Sequence, residues 1–350
     1  MKRFSFLLSA GVMLALMSVL VAPAFAQGGE GGTIVISNIG DDPSTFNPII
    51  ASDTTSSTVS GYMYPDVIAL DDATFLETPG APKGMAESWS YDDSGTVLTV
   101  NLRQDMTWGD GTAVTADDYI WALDAVKSGT TSSSRTYVFF ELADGTESGG
   151  AVFEYEKLDD FTIEFVLGVP ERDEEGAWTG NVLPSCTALG ELNDIPVVPA
   201  HIYSEAFGED YASMENDPYF VPTSADGVTA TYGEFTDPFT EFGVQVSLLS
   251  DQSFPETELG YVSPGEWIMR QVEDTNVAYE RFLAGDFTTL GVTASKQNEF
   301  RSLNASLPEG EQFKTLEYPA NGYTYVAWNT ADPANPQNAT DADGNAIDQG

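Results

Sequence analysis

Alternating apolar and polar residues mark several strands along this chain. In the segment 97–103, Leu98, Val100 and Leu102 alternate with polar residues, which is the pattern of a strand with one buried face. A similar alternation or a β-branched run predicts further strands at 33–37, at 151–167 (a hairpin turning near 158–160), at 244–249, at 265–272 and at 323–328. The segments 168–195 and 213–237 show little periodicity, and we predict loops there.

Helical periodicity is clearest after the turn at 109–111. Thr115 is placed to cap a helix, and Asp118, three residues later, can complete a capping box. The inner stripe of this helix is predicted to be Ile120, Leu123 and Val126. A short segment at 202–207 and helices at 276–285 and 294–303 are also predicted. Such a mixture indicates an α/β or mixed α+β protein with more than one lobe.

The N-terminus has the pattern of an export signal. Two basic residues precede an apolar stretch from Phe4 to Val21, and Ala24-Phe25-Ala26 is an A-x-A cleavage site. The alternative is a membrane anchor, but Pro23 and the small residues favour cleavage. We therefore predict a signal peptide at 1–26 and a soluble periplasmic or extracellular protein. No Cys follows the apolar stretch, so no lipid anchor is expected.

Composition excludes several classes of function. The chain has 13 Lys and Arg against 55 Asp and Glu, a formal net charge of −42 that repels phosphate backbones. No nucleic-acid partner is expected. One His, His201, and one Cys, Cys186, cannot form a His/Cys zinc cage or an internal disulfide, so no metal or other cofactor is predicted. The acidity fits either a solvated surface or a saline habitat.

Paired carboxylates are the first argument for an enzyme. A glycan hydrolase needs two such groups, and Asp117-Asp118 and Glu174-Glu175 are adjacent pairs. Among 55 acids such pairs arise without a catalytic role, so we predict no catalytic residues. An exported carboxylate-based hydrolase acting on glycans remains the alternative function, and a structural envelope protein is a third possibility.

One segment is more specific than composition. Leu102-Arg-Gln-Asp-Met-Thr-Trp108-Gly-Asp110-Gly-Thr-Ala-Val-Thr115-Ala-Asp-Asp118 resembles the "LR…W.DG…TA.D" signature of the family 5 extracellular solute-binding proteins, the peptide/nickel-type receptors of ABC importers. Further landmarks of that family follow in its order: Asp42-Pro-Ser-Thr-Phe46-Asn47-Pro48, Met85-Ala-Glu-Ser-Trp89, Phe282-Leu-Ala-Gly-Asp286 and Tyr325-Val-Ala-Trp328-Asn329-Thr330.

The resemblance implies a clam-shell of the periplasmic-binding-protein type II class with an extra domain. Lobe I would comprise 27–60 and 191–290, and the additional domain of the peptide-binding cluster would comprise 61–190. Residues 291–350 would only begin lobe II. The family continues into an Arg-rich helix that nothing here matches, so we expect an N-terminal portion with an incomplete second lobe.

The resemblance also implies a function without catalysis. The protein would capture peptides or similar small solutes as a monomer and deliver them to the permease and ATPase of an ABC transporter. The acidic residue that binds a peptide's ammonium group would lie in the absent part. The ligand-binding residues implied here are Asp42, Thr45, Phe46, Asn47, Tyr62, Tyr64, Trp328 and Asn329.

Overall fold

The computed structural model describes residues 32–70, 76–81, 83–251, 254 and 265–315, and the backbone of 331–332 and 335–339. The predicted signal peptide at 1–26 and the predicted strand at 323–328 lie outside the described residues. The packing of the backbone divides the chain into two units, 1–291 and 292–350. Each unit is described by itself.

The elements follow one another as a mixture of strands and helices, as predicted. The strands of the first unit are β1 (Thr33–Asn38), β2 (Ala86–Tyr91), β3 (Val97–Leu102), β4 (Val152–Asp159), β5 (Thr162–Leu167), β6 (Val169–Arg172), β7 (Trp178–Leu183), β8 (Phe235–Glu241), β9 (Gln245–Ser250) and β10 (Glu266–Gln271). Its helices are α1 (Thr54–Met63), α2 (Ala116–Lys127), α3 (Ala188–Glu191), α4 (Ala200–Phe207) and α5 (Thr275–Leu283). The described part of the second unit contains α6 (Gln297–Ser306) and the paired strands β11 (Ala331–Asp332) and β12 (Asn335–Ala339).

The first sheet has the strand order β1-β10-β9-β8. β1 runs parallel to β10, with Thr33 opposite Glu266 and Asn38 opposite Gln271. The other two pairings are antiparallel. Because β1 and β10 are parallel, their carboxyl ends meet at the same edge of the sheet, and the loops that leave these strands lie side by side.

The second sheet is antiparallel throughout, with the order β2-β3-β5-β4. The predicted alternation of β3 is confirmed, since Leu98, Val100 and Leu102 are buried. The predicted hairpin at 151–167 forms as β4 and β5, and Ile163 and Phe165 are fully buried on its inner face. One continuous core of buried side chains includes residues of both four-stranded sheets.

Helix α2 shows how the signature segment folds. The predicted capping box forms, and the Asp118 carboxylate accepts a 2.7 Å hydrogen bond from the backbone N–H of Thr115. Leu123 and Val126 are buried as predicted, whereas Ile120 is only half-buried and the neighbouring Tyr119 takes the fully buried position. The inner stripe therefore begins one residue earlier than the periodicity suggested.

A close backbone approach explains one glycine of this segment. The N–H of Gly109 donates a 3.0 Å hydrogen bond to the carbonyl of Thr231. A Cβ atom at position 109 would overlap the carbonyl oxygen of Thr229. The turn before α2 therefore rests directly on the backbone of 229–231, and only glycine leaves room for it.

The prediction of a loop over 168–195 is wrong. Residues Val169–Arg172 and Trp178–Leu183 pair as a two-stranded hairpin, and α3 follows. Gly and Asp residues suggested irregular structure, but here they form the turn, in which the N–H of Asp173 bonds the carbonyl of Ala177 at 2.9 Å. Helix α1 and strand β2 were not predicted at all.

Candidate functional site

The carboxyl-terminal edge of the first sheet carries the loop 39–47, here named the β1 loop. Asn38, the last residue of β1, donates from Nδ2 to the carbonyl of Asp41 (3.2 Å) and to the hydroxyl of Thr55 (3.3 Å). Thr55 donates to the same Asp41 carbonyl at 3.0 Å. Because Thr55 lies in the first turn of α1, the β1 loop is fixed between β1 and that helix.

Asp42 joins the β1 loop to two distant strands. Its carboxylate accepts hydrogen bonds from the backbone N–H of Gly243 (2.8 Å) and from Nε2 of Gln271 (2.9 Å). Gly243 lies in the turn between β8 and β9, and Gln271 ends β10. Charge-assisted hydrogen bonds of this kind are stronger than neutral ones. The carboxylate therefore sets the relative position of three segments at one sheet edge.

The last three residues of the β1 loop point into the protein. Thr45, Phe46 and Asn47 are all buried. The N–H of Phe46 donates to the carbonyl of Pro218 at 2.9 Å, and the Thr45 hydroxyl donates to the same carbonyl. The Asn47 side chain accepts the N–H of Ile49 at 3.1 Å. These contacts give each residue a part in holding the loop.

Asp53 anchors the β1 loop from its other end. As the N-cap of α1, its carboxylate accepts the backbone N–H of Ser56 at 2.8 Å and the hydroxyls of Ser56 and Ser44. Burial raises the pKa of this carboxyl, but the hydrogen bonds from Ser44 and Ser56 outweigh it, so its pKa lies below the ordinary value. Asp53 is thus held ionised, and it stabilises both the helix start and the loop.

The two predicted tyrosines have partners outside this loop: Tyr64 is part of the core, and Tyr62 is half-buried against it. Tyr62 packs against Phe235 (ring centroids 5.4 Å apart) and Trp267 (5.1 Å). Tyr64 is buried, and its hydroxyl lies 3.5 Å from that of Tyr203. Burial raises the pKa of Tyr64 well above its usual range. Trp328 and Asn329 lie outside the described residues. The ligand contacts assigned to all eight residues stay predictions.

Sequence reasoning missed an aromatic group that the fold brings to the β1 loop. Tyr219 makes edge-to-face contacts with Phe46 (5.2 Å between centroids) and Phe242 (5.5 Å), and its hydroxyl donates to the carbonyl of Pro43 at 2.9 Å. Phe242, in the β8–β9 turn, is 62% exposed. The sequence signal for this group is Phe242 itself, an aromatic residue within a polar turn.

Two aliphatic side chains are exposed at the same edge. Ile39, which follows Asn38, is 50% exposed, and Val244 is 42% exposed. Their positions are tied through the backbone, because Val272 N–H bonds the Asn38 carbonyl (2.9 Å) and Gln271 N–H bonds the Val244 carbonyl (2.8 Å). We name Ile39, Phe242 and Val244 the edge patch.

The electrostatic environment of the edge patch is negative. Burial raises the pKa of the Tyr219 hydroxyl first, and the carboxylates of Asp42 and Asp53 raise it further. Asp41 and Glu241 are exposed on the segments that carry Ile39 and Phe242. The guanidinium of Arg270, on β10, donates a hydrogen bond to the side chain of Gln245 at 3.3 Å. Exposed apolar surface thus lies among several carboxylates.

The signature segment serves the fold and not this edge. Asp118 is buried and accepts the N–H of Ala200 at 2.8 Å, in addition to that of Thr115. Burial raises the pKa of Asp118. Its neighbour Asp117 forms an exposed ion pair with Lys157 at 2.7 Å. The pair Asp117-Asp118 therefore has two structural roles, and its carboxylates do not share a cleft.

His201 also contacts a carboxylate of the signature segment. Its Nε2 lies 2.9 Å from a carboxylate oxygen of Asp110, in the Gly-Asp-Gly turn before α2. The single His of the chain thus joins α4 to that turn. Among the described residues no group of three or more His, Cys, Asp or Glu side chains could hold a metal ion. Within the same residues, every helix is too short or too polar to cross a bilayer.

Comparison with known proteins relates this geometry to a family. The Periplasmic oligopeptide-binding protein OppA of Escherichia coli (strain K12) is 31% identical over 179 residues, which are 47% of this chain and 31% of that protein. The Dipeptide-binding protein of the same strain is 30% identical over 170 residues, 45% of this chain and 30% of the relative. The chain thus spans about a third of the length of these two relatives.

Solved structures show the same fold. The oligopeptide-binding protein AppA from Bacillus subtilis, in complex with a nonapeptide, superposes with a TM-score of 0.55 at 17% identity and covers 78% of this chain and 46% of that one. The type II periplasmic-binding-protein fold predicted from the sequence is therefore confirmed for the part that superposes.

The family model for bacterial extracellular solute-binding proteins, family 5 Middle, matches residues 81–342. That range includes the signature segment, both strands of the β4–β5 hairpin and the β8–β9 turn that carries Phe242. On this match, which covers more than half of its length, the chain belongs to the bacterial extracellular solute-binding proteins of family 5.

Proposed function

We propose that this protein is the solute receptor of an ABC importer and that its solutes are peptides. Family membership is the observation that carries the proposal. The names of two relatives add the solute class, since both are peptide-binding proteins. The receptor would deliver its peptide to the membrane permease and ATPase, act as a monomer and catalyse no reaction.

The geometry supports a binding role at the edge of the first sheet. In sheets with parallel strands, ligands bind outside the carboxyl ends of the strands. Here β1 and β10 are the parallel pair. Their carboxyl ends carry Asp42 and Gln271, and the β8–β9 turn with Phe242 and Val244 lies at the same edge. A rigid loop presents ligand-binding groups without an ordering cost at the moment of binding. Asp42, Thr45, Phe46 and Asn47 are proposed contacts or supports of this surface. The ligand contacts of Tyr62, Tyr64, Trp328 and Asn329 are proposed on the family resemblance alone.

The domain assignment is part of the same proposal. Residues 27–60 and 191–290 would form lobe I, 61–190 the additional domain and 291–350 the beginning of lobe II. In a clam-shell receptor, closure of two lobes around the solute stabilises the occupied state. Export would follow cleavage after Ala26, so the N-terminal sequence of the secreted protein should begin at Gln27.

The hydrolase alternative has no support in the site. Asp118 is used by two backbone N–H groups and Asp117 by Lys157, so neither carboxylate is free to act as a general acid. The matched relatives are also binding proteins. We therefore propose no second function.

Ligand-observed NMR tests the proposal, because saturation transfer detects weak as well as moderate binding. The purified chain is mixed with trialanine, trilysine or triglutamate, and transfer from protein to peptide is measured. We expect transfer to at least one peptide and unchanged peptide spectra after a day. Absence of transfer to all three, or cleavage of a peptide, would contradict the proposed function.

A further inference from the structure

The edge patch is unusual because it is exposed and yet held in place. Phe242 leans edge-on against Tyr219, and Tyr219 is fixed by Phe46 and by its hydrogen bond to Pro43. The turn that carries Phe242 is fixed by the Asp42 carboxylate through Gly243. Single exposed apolar residues are common on protein surfaces and need no partner. An exposed ring with so many supports suggests a surface preformed for contact.

A second phenylalanine provides the contrast. Phe239 lies on β8, three residues before Phe242, and is equally exposed at 62%. Among the described residues no aromatic ring packs against it. Exposure alone therefore does not distinguish Phe242; the contact with Tyr219 and the fixed turn do.

The charges around the edge patch indicate what it contacts. Asp41 and Glu241 are exposed, and within the described part of the chain neither carboxylate takes part in a hydrogen bond or an ion pair. Among the described residues, the Asp42 carboxylate accepts hydrogen bonds only from neutral donors, the backbone N–H of Gly243 and the side-chain amide of Gln271. Arg270 of β10 does not pair with these carboxylates, because its guanidinium donates a hydrogen bond to Gln245 at 3.3 Å. The uncompensated charge is negative.

A lysine or arginine side chain matches both properties of this surface. Its aliphatic stem can lie along apolar groups while its charged end remains near water. A cation above an aromatic face is attracted by the ring, and nearby carboxylates add to that attraction. A purely aliphatic side chain would make the apolar contact but gain no attraction to the carboxylates, and an anionic side chain would be repelled by them.

We propose that the edge patch, together with Asp41 and Glu241, binds a basic side chain of the solute, so that the preferred substrates are Lys- or Arg-containing peptides. This inference rests on the proposed peptide-binding function and names its substrate class. Phe242 is the contact residue. Asp42 and Tyr219 are positioning residues that hold it.

The test is a ligand-observed NMR titration of the whole chain with trilysine, trialanine and triglutamate at low salt. We expect trilysine to bind several-fold more tightly than trialanine, and triglutamate to bind weakest. Phe242→Ala should lower the affinity for trilysine about two- to fivefold, the range for an exposed cation–π contact. It should leave the affinity for trialanine nearly unchanged. Phe239→Ala is the matched control and should change neither affinity.

Charge is tested separately, because the net charge of −42 alone attracts any basic peptide. Asp41→Asn should lower the affinity for trilysine more than Asp93→Asn does. Asp93→Asn is the control, because it removes one exposed carboxylate from the β2–β3 turn. Peptide binding without preference for trilysine, or equal effects within either pair of variants, would overturn the inference while leaving the proposed function intact. If none of the three peptides binds, both fail.

Discussion

Replacing Asp118 with alanine gives the sharpest test of how the signature segment works. Two backbone N–H groups, those of Thr115 and Ala200, lose their acceptor, and both bonds are short, at 2.7 and 2.8 Å. A buried donor left without a partner costs about 1–3 kcal/mol. Removal of the buried carboxylate offsets part of this cost, because burial opposes ionisation of the Asp118 carboxyl and raises its pKa. We expect a loss of about 2–4 kcal/mol in the free energy of unfolding at pH 7.

The measurement is urea denaturation followed by circular dichroism at fixed salt. Asp117→Ala is the matched control, because it removes the adjacent carboxylate of the same helix and breaks only an exposed ion pair with Lys157. Such pairs contribute about 0–1 kcal/mol. If the two variants are destabilised equally, then Asp118 is not a structural acceptor and our account of the segment is wrong. Peptide binding by Asp118→Ala should be unchanged where the variant is folded.

Three further predictions concern stability. Gly109→Ala should lower the free energy of unfolding by about 1–3 kcal/mol, because the added methyl group overlaps the Thr229 carbonyl. Gly190→Ala places its methyl group in open space and should leave the free energy of unfolding unchanged. Urea denaturation of both variants measures the difference. The pKa of Asp53 is lowered in the folded state, so its contribution to stability is complete above about pH 5 and is lost progressively as pH falls through the unfolded and then the folded pKa. Asp53→Asn should therefore lose less stability than the wild type between pH 7 and pH 3, and equal losses would contradict this. Because the net charge is −42, raising NaCl from 0.1 to 1 M should raise the melting temperature in calorimetry, and a decrease would refute the role of self-repulsion.

The elements predicted correctly from sequence are those whose own residues determine their face. β3, the β4–β5 hairpin and α2 each bury a regular stripe against the core, and α2 also carries its own cap at Thr115 and Asp118. Helix α1 was missed because its sequence, Thr54–Met63, is rich in Ser and Thr, which are weak helix formers. It forms because Asp53 caps it and because Val59 and Met63 are buried by the rest of the protein.

The candidate site could be predicted only in part for a related reason. The β1 loop was found through its family motif, and the structure shows how each of its residues is held. Its partners Pro218, Tyr219 and Gly243 lie more than 170 residues further along the chain. No local pattern shows that a Phe in the β8–β9 turn will stand next to Asp42. β8 was not predicted either, because it contains Pro238, and Asp237 with a φ of 49°, both of which are unusual in a strand.

The pairing of β1 with β10 has a consequence for the order of folding. Thr33 meets its partner Glu266 across 233 residues of sequence, so closing this contact carries a large entropy of loop formation and is slow. The β2-β3-β5-β4 sheet needs only residues 86–167 and can form earlier. The β1 loop, and with it the edge patch, takes its final position only after β10 has joined the sheet. The edge patch is therefore among the last parts of the first unit to form.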